Sequence, residues 1–310
     1  MTAPVALAVD FGGTKVEAAL VDGSGALLPA SRARRPTGAD ATSDALDRAV
    51  ASAVRHALAA LPDGAPLTGA GVGCAGPVDL AAGTVSPLNV PAWRRHPLVD
   101  RVSALVPGVP VTLGIDGLCI AVAEHWVGAG RGTRNLLGMV VSTGVGGGLV
   151  LDGRPAPGPT GNAGHIGHVE VGGADDACAC GGRGCLEAVA SGPSTVRWAR
   201  AHGFAGATGE DLARAHAAGD RVAAAAVERA GTAIGRAIAS AANLADLDMA
   251  AVGGGFSRVS PALLDAARTA LSARTEFDFV RRTRIVPSAL SDEGPLIGAA
   301  ALVHRPGAHA

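Results

Sequence analysis

The stretch VALAVDFGGTK, residues 5–15, decides the fold class because it joins a buried strand to a tight glycine turn. The apolar part of the stretch ends at Asp10, and Gly12 and Gly13 form the turn. A second apolar segment, Val16–Val21, follows directly and predicts a strand that returns beside the first. This unit predicts a small α/β lobe at the start of the chain.

The turn carries the groups that a phosphate requires. Glycine at Gly12 and Gly13 lets backbone N–H groups face a phosphate. Thr14 adds a hydroxyl and Lys15 adds a positive charge. Asp10, at the end of the strand, is suited to hold Mg²⁺ through water. The alternative is a hairpin turn with an exposed lysine, and the short motif alone does not decide between the two. It is not a P-loop, because the pattern G-x-x-x-x-G-K-[ST] is absent.

Apolar runs and turn residues divide the rest of the chain into strands that alternate with helices, which indicates an α/β fold. The further predicted strands are Ala26–Ala33, Thr68–Cys74, Val109–Leu113, Leu136–Val141, Gly148–Leu151, Met249–Val252 and Arg284–Pro287. The predicted helices are Thr42–Leu61, Leu118–Val127, Gly192–Ala201, Gly209–Ala217, Asp220–Asn243, Pro261–Ala273 and Gly294–Val303.

Size and composition restrict the function classes. A chain of 310 residues is too long for one simple core and fits two domains or one two-lobed domain. A formal net charge of -1 argues against a surface that follows nucleic-acid phosphates. The first ten residues have no basic stretch, and every long apolar run is interrupted by glycine or charge, so we expect no signal peptide, no membrane span and a cytoplasmic location.

Two more glycine-rich turns follow predicted strands, at 142–148 (STGVGGG) and at 253–255 (GGG). A lone glycine run is weak evidence, because glycine also serves hairpins. Three such turns, each after a strand, favour a nucleotide site over simple turns. The first two, each between two strands, would form a two-sided phosphate clamp if they faced each other.

Three of the five cysteines, Cys178, Cys180 and Cys185, lie close together on a glycine-rich segment. Zinc takes four tetrahedral ligands, and this segment supplies three thiolates. The fourth ligand is His165 or His168, just upstream. Four protein ligands would make the site structural and closed. The alternative, a set of buried free cysteines, does not account for the clustering.

Two acidic residues have a catalytic or ligand-binding interpretation beside an ordinary one. Asp116 follows an apolar strand and precedes a helix, where a carboxylate can accept a hydroxyl proton. Asp at such a junction is also a common helix N-cap, and local sequence alone favours the cap. Glu187, just after the cysteine segment, is either a sugar ligand or an acid at a helix start.

Taken together, these segments resemble the ROK family, which groups sugar kinases with related sugar-responsive repressors. The resemblance covers nearly the whole chain, from Asp10 to about Ala301. Its pieces are DFGGTK at 10–15, GCAGPVD at 73–79, NVPAW at 89–93, Asp116 with Glu124, STGVGGG at 142–148, GNAGHIGH at 161–168, CACGGRGCLE at 178–187 and GGG at 253–255.

The resemblance implies an actin-like, hexokinase-like fold of two RNase-H-like α/β lobes with ATP and sugar in the cleft between them. The small N-terminal lobe would comprise residues 1–114 and 291–310, and the larger lobe, with the zinc loop, residues 115–290. It also implies a homodimer or a dimer of dimers, with ATP, Mg²⁺ and structural Zn²⁺ as the cofactors; polyphosphate is the alternative phosphoryl donor.

The resemblance also implies site residues. The nucleotide-binding residues would be Asp10, Gly12, Gly13, Thr14, Lys15, Thr143, Gly144, Gly254 and Gly255. The sugar-binding residues would be Gly76, Asn89, Asp116, His165, His168 and Glu187. The zinc ligands would be His168, Cys178, Cys180 and Cys185. Asp116 would be the base that deprotonates the 6-hydroxyl of the sugar, and zinc-bound His168 would present its other nitrogen to the sugar.

Four positions depart from the family pattern. Ile115 stands where an asparagine is usual, Leu118 replaces a second asparagine, His165 replaces a glutamate and Ala75 replaces a proline. Isoleucine cannot hydrogen-bond a sugar hydroxyl, and histidine can donate where glutamate only accepts. The expected substrate is therefore a hexose whose identity these changes alter, such as an N-acetylated or deoxy hexose.

The predicted function is ATP-dependent phosphorylation of a hexose in the manner of a glucokinase. The first alternative is an N-acetylmannosamine or N-acetylglucosamine kinase. The second is a catalytically weak sugar-binding regulatory protein. Repressors of the family carry a DNA-binding region ahead of the kinase-like part, and the first motif here begins at residue 10, so direct DNA binding is not expected.

Overall fold

Two five-stranded sheets organise the protein, for which the computed structural model describes residues 3–290 and 292–305. The strands are β1 (Val5–Phe11), β2 (Lys15–Asp22), β3 (Ala33–Pro36), β4 (Leu67–Cys74), β5 (Val78–Asp79), β6 (Thr84–Val85), β7 (Val111–Ile115), β8 (Leu136–Val141), β9 (Val145–Leu151), β10 (Arg154–Pro155), β11 (Met249–Gly253) and β12 (Arg284–Pro287).

Helices cover the faces of both sheets. They are α1 (Ser43–Ala59), α2 (Leu98–Ser103), α3 (Asp116–Val127), α4 (Leu186–Ala190), α5 (Gly192–Ala201), α6 (Gly209–Ala217), α7 (Arg221–Ala245), α8 (Pro261–Arg274), α9 (Asp278–Arg281) and α10 (Gly294–His304). Short 3₁₀ turns lie at Pro29–Ser31, Ile166–His168 and Phe256–Arg258. No helix of the described part of the chain is long and apolar enough to cross a membrane.

The two sheets repeat one topology. The first has the strand order β3-β2-β1-β4-β7 and the second β10-β9-β8-β11-β12. In each sheet an antiparallel unit of three strands is extended by two parallel strands. This duplication is the predicted two-lobed actin-like, hexokinase-like fold, with one RNase-H-like sheet in each lobe.

Strand β1 is buried along its whole length because helices cover both of its faces. Val5, Leu7 and Val9 belong to the core cluster that contains α1. Ala6 and Ala8 face the other way, into the cluster that contains α10. The large residues of β1 face α1 and the small ones face α10, so the alternation allows the two helices to lie at different distances from the sheet.

Helix α10 returns from the second sheet to pack on the first, against β1, β4 and α3. The approach is so close that a Cβ at Gly71 of β4 would lie 1.7 Å from the carbonyl oxygen of Ala299. Because α10 packs on the first sheet, residues 291–310 are assigned to the small lobe together with 1–114. The division of the chain into this lobe and a larger lobe of residues 115–290 stays a proposal. Residues 1–2, 291 and 306–310 lie outside the described part of the chain.

Several segment bounds differ from the prediction. The strand expected at Val109–Leu113 is Val111–Ile115, and the strand expected from Gly148 begins at Val145. The third strand was expected at Ala26–Ala33 and begins only at Ala33, because Pro29 starts a 3₁₀ turn there and has no N–H for a sheet ladder. The Ser31 hydroxyl holds this turn by donating to the carbonyl of Leu28 at 2.6 Å. The helix expected from Leu118 begins at Asp116.

Candidate active site

Most of the predicted site residues from the two lobes line one cavity of about 330 Å³ between the sheets. The predicted residues in its wall are Asp10, Gly12, Gly13, Thr14, Lys15, Gly76, Asn89, Asp116, Thr143, Gly144, His165, His168 and Glu187. Parallel strands in both sheets end here, which is where α/β folds place ligands. Residues far apart in the sequence are thus brought into one cleft by the pairing of the two lobes.

The first glycine turn closes tightly and is held from outside. The N–H of Gly12 donates to the carbonyl of Lys15 at 2.9 Å, and the Thr37 hydroxyl donates to the carbonyl of Gly12 at 2.8 Å. A Cβ at Gly13 would lie 2.1 Å from Nδ2 of Asn89. Glycine at this position therefore allows the Asn89 segment to lie directly on the turn.

An aromatic stack joins the same two segments in the core. The rings of Phe11 and Trp93 stack with centroids 4.1 Å apart, and Trp93 stacks on His96 at 4.1 Å. Nε2 of His96 lies 2.8 Å from a carboxylate oxygen of Asp47 on α1. The stack fixes the position of the segment that bears Asn89 relative to the first turn.

Asp116 is the first residue of α3 and opens into the cleft. The N-cap position is Ile115, so the N-cap alternative for Asp116 is wrong. Burial raises the pKa of Asp116 to about 6; the hydrogen bond from the N–H of Gly117 lowers it and the charge of Glu187 raises it. Asp116 is therefore ionised at neutral pH yet close to the range in which a carboxylate exchanges protons readily.

Asp10 lies on the other side of the cleft. Burial is the largest cause that raises its pKa, to about 7; the charge of Asp116 raises it further, and the charge of Lys15 opposes the rise. A buried carboxylate with a raised pKa gains from a nearby cation, so Asp10 is suited to the magnesium role that its position suggested.

The wall beside Asp116 contains two of the four departures from the family pattern. An ideal Cβ at Gly76 would lie 2.7 Å from Cδ1 of Ile115 and 3.0 Å from Nε2 of His165, so these three residues meet. Burial and the neighbouring His168 lower the pKa of His165, which favours its neutral imidazole form. Ala75 also lines the cavity, whereas Leu118 points into the core and does not.

Glu187 links the second glycine turn to α4. Its Oε2 accepts a hydrogen bond from the N–H of Val145 at 2.9 Å. A Cβ at Gly144 would lie 2.6 Å from the same oxygen. The side chain therefore belongs to the cleft wall and is not merely an acid at a helix start.

The Cys/His segment forms one four-donor cluster. One donor atom from each of its members lies within 4.8 Å of the others; the members are His168, Cys178, Cys180 and Cys185. Sulfurs of Cys180 and Cys185 are 3.7 Å apart, and Nδ1 of His168 lies 3.7 Å from the sulfur of Cys178. Zinc with bonds of about 2.3 Å in a tetrahedron separates two sulfurs by about 3.8 Å, so these residues fit zinc. His168, and not His165, completes the set.

A larger cavity of about 800 Å³ adjoins the cleft through Ser142 and Thr143. Gly255 lies in its wall, but Gly254 packs against the backbone of Val141 and lines neither cavity. Sequence reasoning missed most of this wall. Its missed members include Pro193, Val196, Arg197, Arg200, Thr208, Glu210, Phe256, Arg258 and Val259. Arg197 and Arg200, three residues apart on the polar side of α5, were the sequence signal that could have indicated this wall.

Comparisons with known proteins agree with this geometry. Residues 6–306 match the ROK family. The chain is 30% identical over 318 residues to a glucokinase of Streptomyces coelicolor, covering 97% of this chain and 98% of that protein. It is 34% identical over 308 residues to a kanosamine kinase of Amycolatopsis mediterranei, covering 97% of both.

A solved structure extends the agreement to the fold. The structure of a ROK family glucokinase from Streptomyces griseus, in complex with glucose and AMPPNP, superposes with a TM-score of 0.82 at 30% identity. The match covers 97% of this chain and 99% of that one. On the family match and this likeness, the chain belongs to the ROK family, and its fold is that of the family's sugar kinases.

Proposed function

We propose that this ROK-family sugar kinase transfers the γ-phosphoryl group of ATP to the 6-hydroxyl of a hexose. The observation that carries the proposal is the position of Asp116, which opens into the cleft between two glycine-rich turns. Asn89, His168 and Glu187 line the same cavity and offer hydrogen-bond partners to sugar hydroxyls.

The nucleotide would span both cavities. The larger one, next to Gly255, has room for adenosine, and Thr143 lines both, so the phosphates would cross it toward the first turn. Lys15 and the turn amides would contact the terminal phosphate, and Asp10 would hold Mg²⁺ through water. Bound Mg²⁺ would neutralise charge on the phosphates.

Asp116 would act as the general base. Phosphoryl transfer depends mainly on positioning and charge stabilisation, so the carboxylate is needed to orient the hydroxyl and to accept its proton. The pKa of about 6 keeps Asp116 ionised at neutral pH. Closure of the two lobes would exclude water, which otherwise competes with the sugar as acceptor.

Zinc would support the sugar side of the site. His168 would bind the metal through Nδ1, the atom nearest to Cys178, and would leave its other ring nitrogen for the sugar. A metal-bound imidazole has a fixed tautomer and orientation, so it is a defined hydrogen-bond donor. The metal itself would stay structural, because all four ligands are protein groups.

The substrate is expected to be a hexose other than plain glucose. The Ile115 side chain, 2% exposed, offers no hydrogen bond, and His165 in its favoured neutral form can donate. An apolar site residue that leaves a buried sugar hydroxyl unpaired discriminates against that sugar by about 10²-fold. An N-acetylated hexose, such as N-acetylmannosamine or N-acetylglucosamine, is the alternative substrate, because its acetyl methyl group can pack on an apolar wall.

The experiment is a coupled assay of ADP release with Mg-ATP and a panel of glucose, mannose, N-acetylglucosamine and N-acetylmannosamine. Turnover on one sugar that is lost in Asp116→Asn supports the proposal. Ile115→Asn and His165→Glu, separately and together, are expected to raise the preference for glucose. ATP binding without turnover on any sugar would instead support a sugar-binding regulatory protein.

The assembly and location implied by the family stay proposals as well. A homodimer or dimer of dimers predicts a solution mass of two or four chains by light scattering. A single-chain mass at micromolar concentration would refute it. Fractionation of cells would test the cytoplasmic location.

A further inference from the structure

Glu17 is a buried carboxylate beside the phosphate turn, and the proposed mechanism assigns it no role. It lies on β2 directly opposite Asp10 of β1, and its side chain is only 2% exposed. Three cations surround it: Lys15 Nζ at 2.5 Å, Arg34 Nε at 2.8 Å and Arg32 Nη2 at 3.2 Å. We refer to these four residues as the Glu17 cluster.

Glu17 is held in its ionised form. Burial raises the pKa of Glu17, but the hydrogen bonds from Lys15 and Arg34 and the charges of Lys15 and Arg32 outweigh that effect, so the pKa lies below its ordinary value. Without these partners, a buried carboxylate beside Asp10 would be costly. The two arginines both contact Oε1 of Glu17, and Lys15 contacts Oε2, so Lys15 is the cationic partner of the second carboxylate oxygen.

The cluster extends from the cleft to the segment that connects the lobes. Lys15 lines the cavity beside Gly12 and Gly13. At the other end, Nη2 of Arg32 also lies 3.4 Å from the carbonyl oxygen of Asp292, just ahead of α10. With Asp10 included, the group carries three positive and at most two negative charges, so its excess charge suits an anionic phosphate.

We infer that Glu17 is a positioning residue for phosphoryl transfer, which fixes the Lys15 ammonium at the cleft wall where the terminal phosphates of the donor would lie. This inference rests on the proposed function. A free lysine side chain loses rotamer freedom when it binds a phosphate, and a lysine already held by a neighbouring carboxylate loses less. Arg32 and Arg34 offset the charge of Glu17, so the carboxylate holds Lys15 without repelling the phosphate.

The test is a double-mutant cycle with Glu17→Gln and Lys15→Met, read out first as the Kd for Mg-AMPPNP without sugar. Glutamine keeps the shape of Glu17 and removes its charge. Each single variant is expected to weaken binding about tenfold to a hundredfold, the range of one charged hydrogen bond. The double variant is expected to bind within twofold of Lys15→Met alone, because Glu17 acts through Lys15.

A matched control and a second readout separate the possible results. Asp22→Asn changes a carboxylate at the other end of β2, outside the cluster, and is expected to leave the Kd unchanged. If the effects of the two single variants on the Kd multiply in the double variant, the inference is overturned. A lower melting temperature of Glu17→Gln with an unchanged Kd would also overturn it. The Kd needs no turnover, so wild-type protein that binds Mg-AMPPNP but phosphorylates no sugar would refute the proposed function and leave the cycle readable.

Discussion

Replacing Asp116 with asparagine tests the base directly while it disturbs little else. Oδ1 of Asp116 accepts the N–H of Gly117 at 2.7 Å, and an asparagine oxygen can accept the same bond. The change removes a charge and keeps the shape, so we expect a folded protein that still binds sugar and ATP. A positioned general base contributes about 10² to 10⁴ in rate, so kcat should fall by that factor while both KM values change little.

The pH dependence of the sugar reaction provides a second test of Asp116 as the base. With the pKa of Asp116 at about 6, kcat/KM for the sugar should fall on the acid side near pH 6. About nine-tenths of the carboxyl is ionised at pH 7 and about one-tenth at pH 5, so activity at pH 5 should be about a tenth of that at pH 7. At saturating Mg-ATP, where the cation favours ionised Asp10, the residual activity of Asp116→Asn should lack this acid limb. A variant that retains more than a third of wild-type kcat would refute the base assignment.

The same carboxyl gives a stability control. Its folded pKa, about 6, lies above the ordinary value of 3.8, so the folded state binds more protons than the unfolded state between these pH values. The ionised carboxyl therefore destabilises the fold as pH rises through this window. Asp116→Asn should match wild type in melting temperature below pH 4 and exceed it above pH 6, and a lower melting temperature at pH 8 would show that the variant is structurally damaged.

Three further predictions follow from the cleft and the sheet. Elemental analysis should find about one zinc per chain, and Cys178→Ser should lose it with a lower melting temperature; native protein without zinc would contradict the cluster assignment. Gly71→Ala should lower the free energy of unfolding in denaturant by about 1–3 kcal/mol, because the new methyl group meets the backbone of α10. Gly23→Ala, where nothing lies within 4 Å of the added Cβ, is the control and should stay near wild type. Glu187→Gln should move the acid limb of kcat to lower pH, because the charge of Glu187 raises the pKa of Asp116; an unmoved limb at saturating sugar would contradict that coupling.

Local signals predicted the features that depend on short segments. The Cys178–Cys185 run could be interpreted as a metal site because three of its ligands are neighbours in the sequence. The first glycine turn was recognised because an apolar strand precedes it. Strand β12 begins and ends at the predicted residues, since its apolar run is bounded by turns.

Features that depend on pairing between distant elements were missed. The Glu17 cluster exists because the register of β2 and β3 sets Glu17 opposite Arg34, and no periodicity within one strand shows that. The wall of the larger cavity comes from α5, α6 and the turn after β11, which meet only in the folded lobe. The family resemblance named Gly254 as a nucleotide contact; this glycine lies beside the backbone of Val141, and its contact with the nucleotide stays a prediction.

The return of α10 to the first sheet has a consequence for synthesis on the ribosome. One face of β1, with Ala6 and Ala8, is covered by Ala299 and its neighbours, which are translated long after the last strand of this sheet. The first lobe therefore emerges from the ribosome with an apolar face exposed and cannot complete its core until α10 has been made. A nascent chain truncated before Gly294 should be captured by chaperones, although all five strands of its first sheet are already made.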